Sequence, residues 1–268
     1  MPYPLPGVPW WHPKRVLQDL IQRSNLYLFD VWIAGSHESE SFFRNLGVSA
    51  PMPVIPQYGI SPERFFPQSG LQSLRSDLQL PSDSFLIGFV GRILKMKGLA
   101  TLIEAMSLLP ESVHCVALGS GDDEAWFASA VQSAGLTSRI HHITSVQASQ
   151  VAEALGGLDA LVLPSLTTPT WKEQFGRVLI EAMACGVPVI GSSSGEIPYV
   201  VGSAGMVFPE GNPTELASMI LNLKTDNELR RTLSARGLER VTSHFTNDVI
   251  AKKIVGLYQS LLLHHSSP

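Results

Sequence analysis

The sequence has few cysteines, few charges and no long apolar run, and each absence limits what the protein can be. Only Cys115 and Cys185 occur, each inside an apolar stretch, which indicates a reducing compartment such as the cytoplasm rather than a disulfide framework. The 268 residues carry a formal net charge of −4, so no broad basic field is available to hold nucleic acid. No uncharged apolar run approaches the roughly 18 residues that cross a bilayer.

Signals for targeting and for metal binding are also absent. The amino terminus, MPYPLPGVPWWHPKRV, is interrupted by prolines and lacks the basic start and continuous apolar core of a signal peptide. A peripheral membrane contact through Trp10 and Trp11 is a separate hypothesis. His141 and His142 are adjacent, but no third ligand stands at metal spacing and Asp-x-Asp does not occur, so no metal is predicted.

From residue 85 onward, short apolar runs alternate with helical patterns. The predicted strands are 85–91, 113–119, 139–144, 159–165 and 187–193, and the predicted helices between them are 98–108, 123–134, 148–156 and 176–185. Three more helices are predicted after residue 212. Strands that are apolar throughout and are each followed by a helix predict an α/β fold with a doubly wound, Rossmann-like parallel sheet.

The first 60 residues have a different pattern. Strands are predicted at 26–36 and 52–56, with a helix at 38–47 between them, and the stretch 57–70 has the composition of a linker. One or two such units cannot build an independent doubly wound core. The sequence therefore predicts that residues 1–58 are the remnant of an incomplete amino-terminal domain.

The stretch WKEQFGRVLIEAMACG, residues 171–186, carries acids on both sides of a helix start. The apolar stripe of this helix consists of Phe175, Val178, Leu179, Ala182 and Met183. Arg177 and Glu181 lie roughly opposite that stripe, so Glu181 is predicted to lie outside the core. One interpretation is structural: the helix dipole stabilises Glu173, and Glu181 pairs with Arg177 four residues away.

The second interpretation of this stretch is a ligand site. Free amides at the helix start can hold phosphate oxygens. The carboxylates of Glu173 and Glu181 would then accept hydrogen bonds from ligand hydroxyls rather than contact the anion. A ligand that combines phosphates with hydroxyls is a nucleotide sugar.

A second candidate region, GRILKMKG (91–98), directly follows the first strong strand. Gly91, Arg92 and Lys97 lie in the loop at the carboxyl edge of the predicted sheet, where open α/β sheets bind ligands. The alternative is an ordinary solvated basic loop. The spacing of a phosphate-binding P-loop is absent.

A third pattern, GSSSG (191–195), fits the G-x-S-x-G motif of a serine hydrolase. Ser193 is its central residue, and Asp226 and His244 follow in the chain order that such an enzyme needs. The alternative is a glycine-rich turn between a strand and a helix.

Together, these stretches resemble the group 1 family of retaining glycosyltransferases over roughly residues 27–262. These enzymes have the GT-B architecture of two facing Rossmann-like domains. Glu173 and Glu181 carry the family's E-x7-E motif, and the segment 54–67 resembles its inter-domain segment, with Gln57-Tyr58 where Asn is usual. Tyr199 stands where the family usually has Glu.

The resemblance implies that residues 59–246 form the donor-binding domain and that 247–268 form a helix packing back toward the amino-terminal part. It implies that Arg92 and Lys97 hold the diphosphate, with Gly91 in the same loop. Glu173 would face the donor sugar and Glu181 the ribose. The amides of Phe175, Gly176 and Val178 would lie near the phosphates, and the base near Thr144 and Val146.

The implied activity is transfer of a hexose-type sugar from a nucleotide diphosphate sugar, with retention and without a metal or other cofactor. The acceptor, whether a glycan, a lipid or a small molecule, is not specified. One alternative is a non-catalytic module that binds a nucleotide sugar, and another is half of a split enzyme completed by a partner chain. The family's histidine facing the donor is not assigned to His12 or His37, because neither stands in a matching motif.

Overall fold

The computed structural model describes residues 9, 11–25, 28–67, 73–145, 147 and 150–265. Contacts within the chain divide it into two compact units, Met1–Gln57 and Tyr58–Pro268. Trp10 and Val146 lie outside the described residues, so the predictions made for them stay predictions. Within the described ranges, no helix is long and apolar enough to cross a membrane.

The second unit is built on one six-stranded sheet. The strands are β1 Phe85–Val90, β2 Val113–Leu118, β3 Ile140–Ile143, β4 Ala160–Leu163, β5 Val189–Ser192 and β6 Met206–Phe208. Their order is β3-β2-β1-β4-β5-β6 and every neighbouring pair is parallel. This is the doubly wound Rossmann order, which confirms the predicted fold class. Only β6 was not predicted, since three residues are too few to show a pattern.

The described residues also form helices, the first two in the first unit and the others in the second. They are α1 Pro13–Asn25, α2 His37–Asn45, α3 Ser73–Asp77, α4 Leu99–Ser107, α5 Glu124–Ser133, α6 Val151–Gly156, α7 Arg177–Ala184, α8 Ile197–Val201, α9 Pro213–Thr225, α10 Asn227–His244 and α11 Asn247–His265. Side chains cap two of the carboxyl-terminal helices: Asn212 accepts from the Glu215 amide, and Asp226 from the amides of Glu228 and Leu229.

The strands are apolar throughout because helices cover both faces of the sheet. Every residue of β4 and β5 is buried, as is every residue of β1 except the last. The same holds for α7, whose residues are all buried after Arg177. This helix packs against β4, β5, α6 and α10, so it lies inside the second unit rather than on its surface.

The first unit departs from the sequence prediction. Instead of strands at 26–36 and 52–56, the described residues form a single parallel bridge between Ala34 and Val54. A lone pair of short strands is marginal in water, and no other strand of this unit pairs with it in the described ranges. Among the described residues of this unit, the buried apolar side chains are Ala34, Val48, Met52 and Ile55. α1 was not predicted; it begins at Pro13, and proline is favoured in the first turn of a helix.

The segment predicted as a linker belongs largely to the second unit. Ile60 donates its amide to the Phe245 carbonyl and accepts from the Asn247 amide, at 2.9 and 3.0 Å. Phe65 is buried in the core of that unit. The described residues 58–67 are therefore anchored. The apolar side chains Val255, Tyr258, Leu262 and Leu263 of α11 are exposed, and the packing predicted for this helix stays a prediction.

Candidate functional site

The candidate site is a cavity of about 650 Å³ at the carboxyl edge of the sheet. It lies between the loop that follows β1 and the loops that follow β4. These two strands are neighbours although β2 and β3 intervene in sequence, so the chain reverses its winding direction there. Open α/β sheets bind ligands at such switch points.

Most of the residues predicted from the sequence line this cavity. They are Gly91, Arg92, Lys97, Glu173, Phe175, Gly176, Val178 and Glu181. Thr144 does not line it, and Val146 lies outside the described residues. Sequence reasoning missed three aromatic residues in the wall, Tyr58, Phe65 and Trp171. Each lies next to a motif that was noticed, but nothing in the sequence indicates which way its ring points.

Close backbone packing joins the loops that form the cavity. Gly98 follows a short 3₁₀ helix, Lys95–Lys97, and has φ +75°. A Cβ at this residue would lie 1.7 Å from the carbonyl oxygen of Pro164, directly after β4. Only glycine allows this approach, and it places Lys97 beside the loop that carries Glu173.

Lys97 and Glu173 form an ion pair in the cavity wall. Lys97 Nζ lies 2.7 Å from Glu173 Oε2, and Ser165 Oγ donates to the same oxygen at 2.8 Å. Both charged side chains are largely buried, 16% and 11% exposed, and the ammonium lies 4.7 Å from the centre of the Trp171 ring. Glu173 Oε1 has no hydrogen-bond partner in the described part of the chain, so it can accept from a ligand.

The turn after β5 holds the Glu173 backbone in place. The Glu196 amide donates to the Glu173 carbonyl at 3.0 Å, and the Glu173 amide donates to Ser194 Oγ at 3.4 Å. Gly195, with φ +52°, lies so close that a Cβ would be 2.0 Å from that carbonyl oxygen. The SSSGEIP stretch thus supports the Glu173 loop.

The serine-hydrolase hypothesis for Ser193 is wrong. Asp226 caps the start of α10 and His244 is the last residue of the same 18-residue helix. At 1.5 Å per residue the two lie roughly 25 Å apart, so they cannot contact one another as a catalytic triad requires. Ser193 Oγ instead accepts from the Glu210 amide at 3.2 Å, as a turn residue.

The first turn of α7 presents the second acid and a set of open amides. Gly176 is the N-cap residue, with φ +81°, and has no side chain to cap the amides behind it. Arg177 Nη2 lies 3.0 Å from Glu181 Oε1, the pair that the structural interpretation predicted. Glu181 lies outside the apolar core, as predicted, but it is only 9% exposed, because it faces the cavity from a helix that neighbouring elements surround.

A second cavity, of about 580 Å³, lies at the opposite edge of the sheet. Its charged groups are largely satisfied within the protein: Arg75 pairs with Asp159 at 2.5 Å, and Asp159 Oδ2 also accepts from the Leu86 amide at 2.7 Å. Arg230 donates to the last carbonyls of α9. This cavity lies at the amino ends of the strands, where such sheets do not bind their ligands.

Comparison with known proteins agrees with the fold and with the motifs. The sequence profile of the family described as Glycosyl transferases group 1 matches residues 72–240, more than half of the chain. The chain belongs to the group 1 glycosyltransferases. It is 27% identical over 209 residues to N-acetyl-alpha-D-glucosaminyl L-malate synthase of Bacillus anthracis, covering 76% of this chain and 53% of that enzyme.

A second relative of this group 1 glycosyltransferase is D-inositol 3-phosphate glycosyltransferase of Stackebrandtia nassauensis. The two are 29% identical over 214 residues, which cover 75% of this chain and 47% of the relative. The chain spans about half the length of the curated relatives it matches.

Solved structures show the same GT-B fold. Sucrose-phosphate synthase from Thermosynechococcus elongatus superposes with a TM-score of 0.77 at 28% identity. The superposition covers 93% of this chain and 62% of the synthase chain. Anabaena HepE, in complex with UDP and glucose, superposes with a TM-score of 0.77 at 23% identity. The superposition covers 91% of this chain and 69% of the HepE chain. At 23% identity this likeness shows the fold alone.

Proposed function

We propose that this chain forms the donor-binding part of a retaining glycosyltransferase that transfers a hexose-type sugar from a nucleotide diphosphate sugar. The observation that carries the proposal is the convergence of Arg92, Lys97, Glu173 and Glu181 on one cavity at the switch point of the sheet. HepE, a structural neighbour, was solved with UDP and glucose. Retention comes from the family likeness, and the acceptor is left open.

The diphosphate would lie against Arg92, Lys97 and the first amides of α7. The Arg92 side chain is exposed and has no ionic or hydrogen-bond partner among the described residues, so it is available to an anion. When the bond between sugar and diphosphate breaks, negative charge grows on the β-phosphate. Cations and amides already in position stabilise that charge without rearranging, and this supports a metal-independent transfer.

The hydroxyls of the donor would meet the two carboxylates. Glu173 has one free oxygen, Oε1, and its other oxygen is fixed by Lys97 and Ser165, so it is oriented to accept from a sugar hydroxyl. Glu181 would accept from the ribose. Hydrogen bonds from hydroxyls to carboxylates are short and about twice as strong as neutral ones, so these contacts would determine how the donor lies. The base is assigned to the neighbourhood of Thr144 and Val146.

The test is calorimetric titration of the full chain with UDP, GDP and ADP sugars. We expect one donor class to bind saturably, and Arg92→Ala and Glu181→Gln each to lower the affinity by roughly tenfold, the value of one hydrogen bond to a charged group. Lys95→Ala is the matched control, because Lys95 lies in the same loop but over the Trp126 ring, outside the cavity. No binding by folded protein, or an equal loss in all three variants, would contradict the donor site.

A second candidate function is a non-catalytic nucleotide-sugar module or half of a split enzyme. The observation that favours it is that the matched relatives are about twice as long as the matched region. Release of UDP from UDP-glucose, measured with the chain alone, separates the two: turnover supports a complete catalyst, and donor binding without turnover supports the module.

A further inference from the structure

The carboxylate assigned to the ribose already has a partner inside the cavity. Arg177 Nη2 occupies Glu181 Oε1 at 3.0 Å, whereas Oε2 has no partner within the described ranges. The two side chains differ greatly in exposure, 59% for Arg177 and 12% for Glu181. The acid is therefore a fixed part of the cavity wall, and the arginine covers it from the solvent side.

A row of aromatic contacts holds Arg177 in that place. Its guanidinium carbon lies 5.4 Å from the centre of the Tyr58 ring, a cation–π distance. The Tyr58 ring lies 5.6 Å from the Phe175 ring, and Phe175 lies 5.8 Å from Phe245. Because Phe175 and Phe245 are both buried, this row of aromatic contacts is anchored in the core of the second unit. Tyr58 is one of the two residues that replace the family's usual Asn.

We propose that Arg177, positioned by Tyr58, is a built-in competitor of the ribose for Glu181. This inference rests on the proposed function, in which Glu181 accepts the ribose hydroxyls. The neighbouring 2′ and 3′ hydroxyls are two donors that match the two oxygens of one carboxylate. Arg177 already holds Oε1 and only Oε2 is without a partner within the described ranges, so we infer that full engagement of the ribose displaces the arginine from Oε1.

The exchange is physically easy in one direction. Arg177 is mostly exposed, so its guanidinium can move into water without a large desolvation penalty. Glu181 is buried and would be left without a partner if nothing replaced the arginine. The ribose hydroxyls supply that replacement. Arg177 thus keeps the Glu181 carboxylate paired when no nucleotide is bound. The same ion pair sets how strongly the site prefers a ribonucleotide over a deoxyribonucleotide.

The test compares UDP with 2′-deoxy-UDP, which share the base and diphosphate and differ by one hydroxyl. The measured quantity is the ratio of their dissociation constants, deoxy over ribo, which cancels any effect on the diphosphate contacts. Removing the competitor in Arg177→Ala frees both oxygens of Glu181 for UDP. We expect the ratio to rise roughly tenfold, the value of one hydrogen bond to a charged group. In the Glu181→Gln background, Arg177→Ala should leave the ratio unchanged.

Variants of Tyr58 separate positioning from packing. Tyr58→Leu removes the ring and should move the ratio toward that of Arg177→Ala, whereas Tyr58→Phe keeps the ring and should retain the wild-type ratio. Both Tyr58 and Arg177 are well exposed, so these variants should fold, and the free energy of unfolding is measured beside the ratio.

The outcomes distinguish this inference from the function on which it rests. If the wild-type chain binds neither UDP nor 2′-deoxy-UDP, and none of the UDP, GDP and ADP sugars, both are overturned; if another donor class binds, the same ratio is measured with its nucleotide. If it binds UDP but Arg177→Ala has the wild-type ratio, Arg177 and the ribose share the carboxylate and only the competitor role is overturned. A higher ratio in Arg177→Ala that disappears with Glu181→Gln supports the inference.

Discussion

Alanine at residue 98 tests whether the two sides of the cavity are held by backbone contact. The Cβ of Gly98→Ala would lie 1.7 Å from the Pro164 oxygen and 2.6 Å from its carbonyl carbon. Carbon and oxygen atoms do not approach so closely, so Pro164 would have to retreat by more than about 1 Å in a core that is packed as densely as a crystal. Lys97 and the loop leading to Glu173 would move apart with it.

Gly98→Ala should lose stability for two reasons, the left-handed backbone conformation of the new alanine and its steric conflict with Pro164. A variant of Gly135 measures the first effect alone. Gly135 has nearly the same backbone conformation as Gly98, φ +70° against +75°, but a Cβ there would have no atom within 4 Å. Gly135→Ala should therefore lower the free energy of unfolding only by the cost of placing an alanine in the left-handed conformation, about 1–2 kcal/mol. Gly98→Ala should lose a further 1–3 kcal/mol or so from the steric conflict.

Urea denaturation of the wild-type chain and both variants gives these differences directly. UDP titration of the same samples should show weakened binding for Gly98→Ala and wild-type binding for Gly135→Ala, since Gly135 lies at the end of α5 and outside the cavity. Equal losses of free energy in the two variants would refute the reasoning, because the loop contact would then offer no resistance.

Two further predictions concern the histidine and cysteine side chains. His114 Nδ1 and His141 Nε2 lie 3.4 Å apart on neighbouring strands, and burial lowers the pKa of both. As the pH falls, these two histidines are therefore protonated in the unfolded chain before they are protonated in the folded chain. The free energy of unfolding should then fall as the pH drops below about 6.5. The double variant His114→Gln/His141→Gln should flatten this decline, and an unchanged slope in urea titrations between pH 7 and 5 would contradict it. Burial also raises the pKa of the Cys115 thiol to about 12 and that of Cys185 to about 11. Neither should react with a thiol reagent at pH 8 before the protein unfolds, and rapid labelling of native protein would count against this.

Local patterns were enough to predict most elements of the second unit, but not β6 or the five-residue helices α3 and α8. The five long strands and the helices between them follow from apolar runs and helical spacing, which depend on neighbours within a few residues. The start of α7 at Gly176 was predictable for the same reason. In the first unit the same reasoning failed, since a strand needs partners and the apolar runs at 26–36 and 52–56 form one bridge with each other.

The amino-acid sequence by itself determined the α/β class, the family and the residue types that could bind a phosphorylated, hydroxylated ligand. Only the tertiary structure decided which of those residues meet. Lys97 and Glu173 are separated by 76 residues and contact one another because β1 and β4 are neighbours in the sheet. The burial of Glu181 and the contact between the rings of Tyr58 and Phe175 likewise depend on elements distant in sequence. Hydrophobic periodicity indicates only which helix or strand a residue belongs to. A site at a switch point depends on the order of the strands in the sheet, which no local pattern encodes.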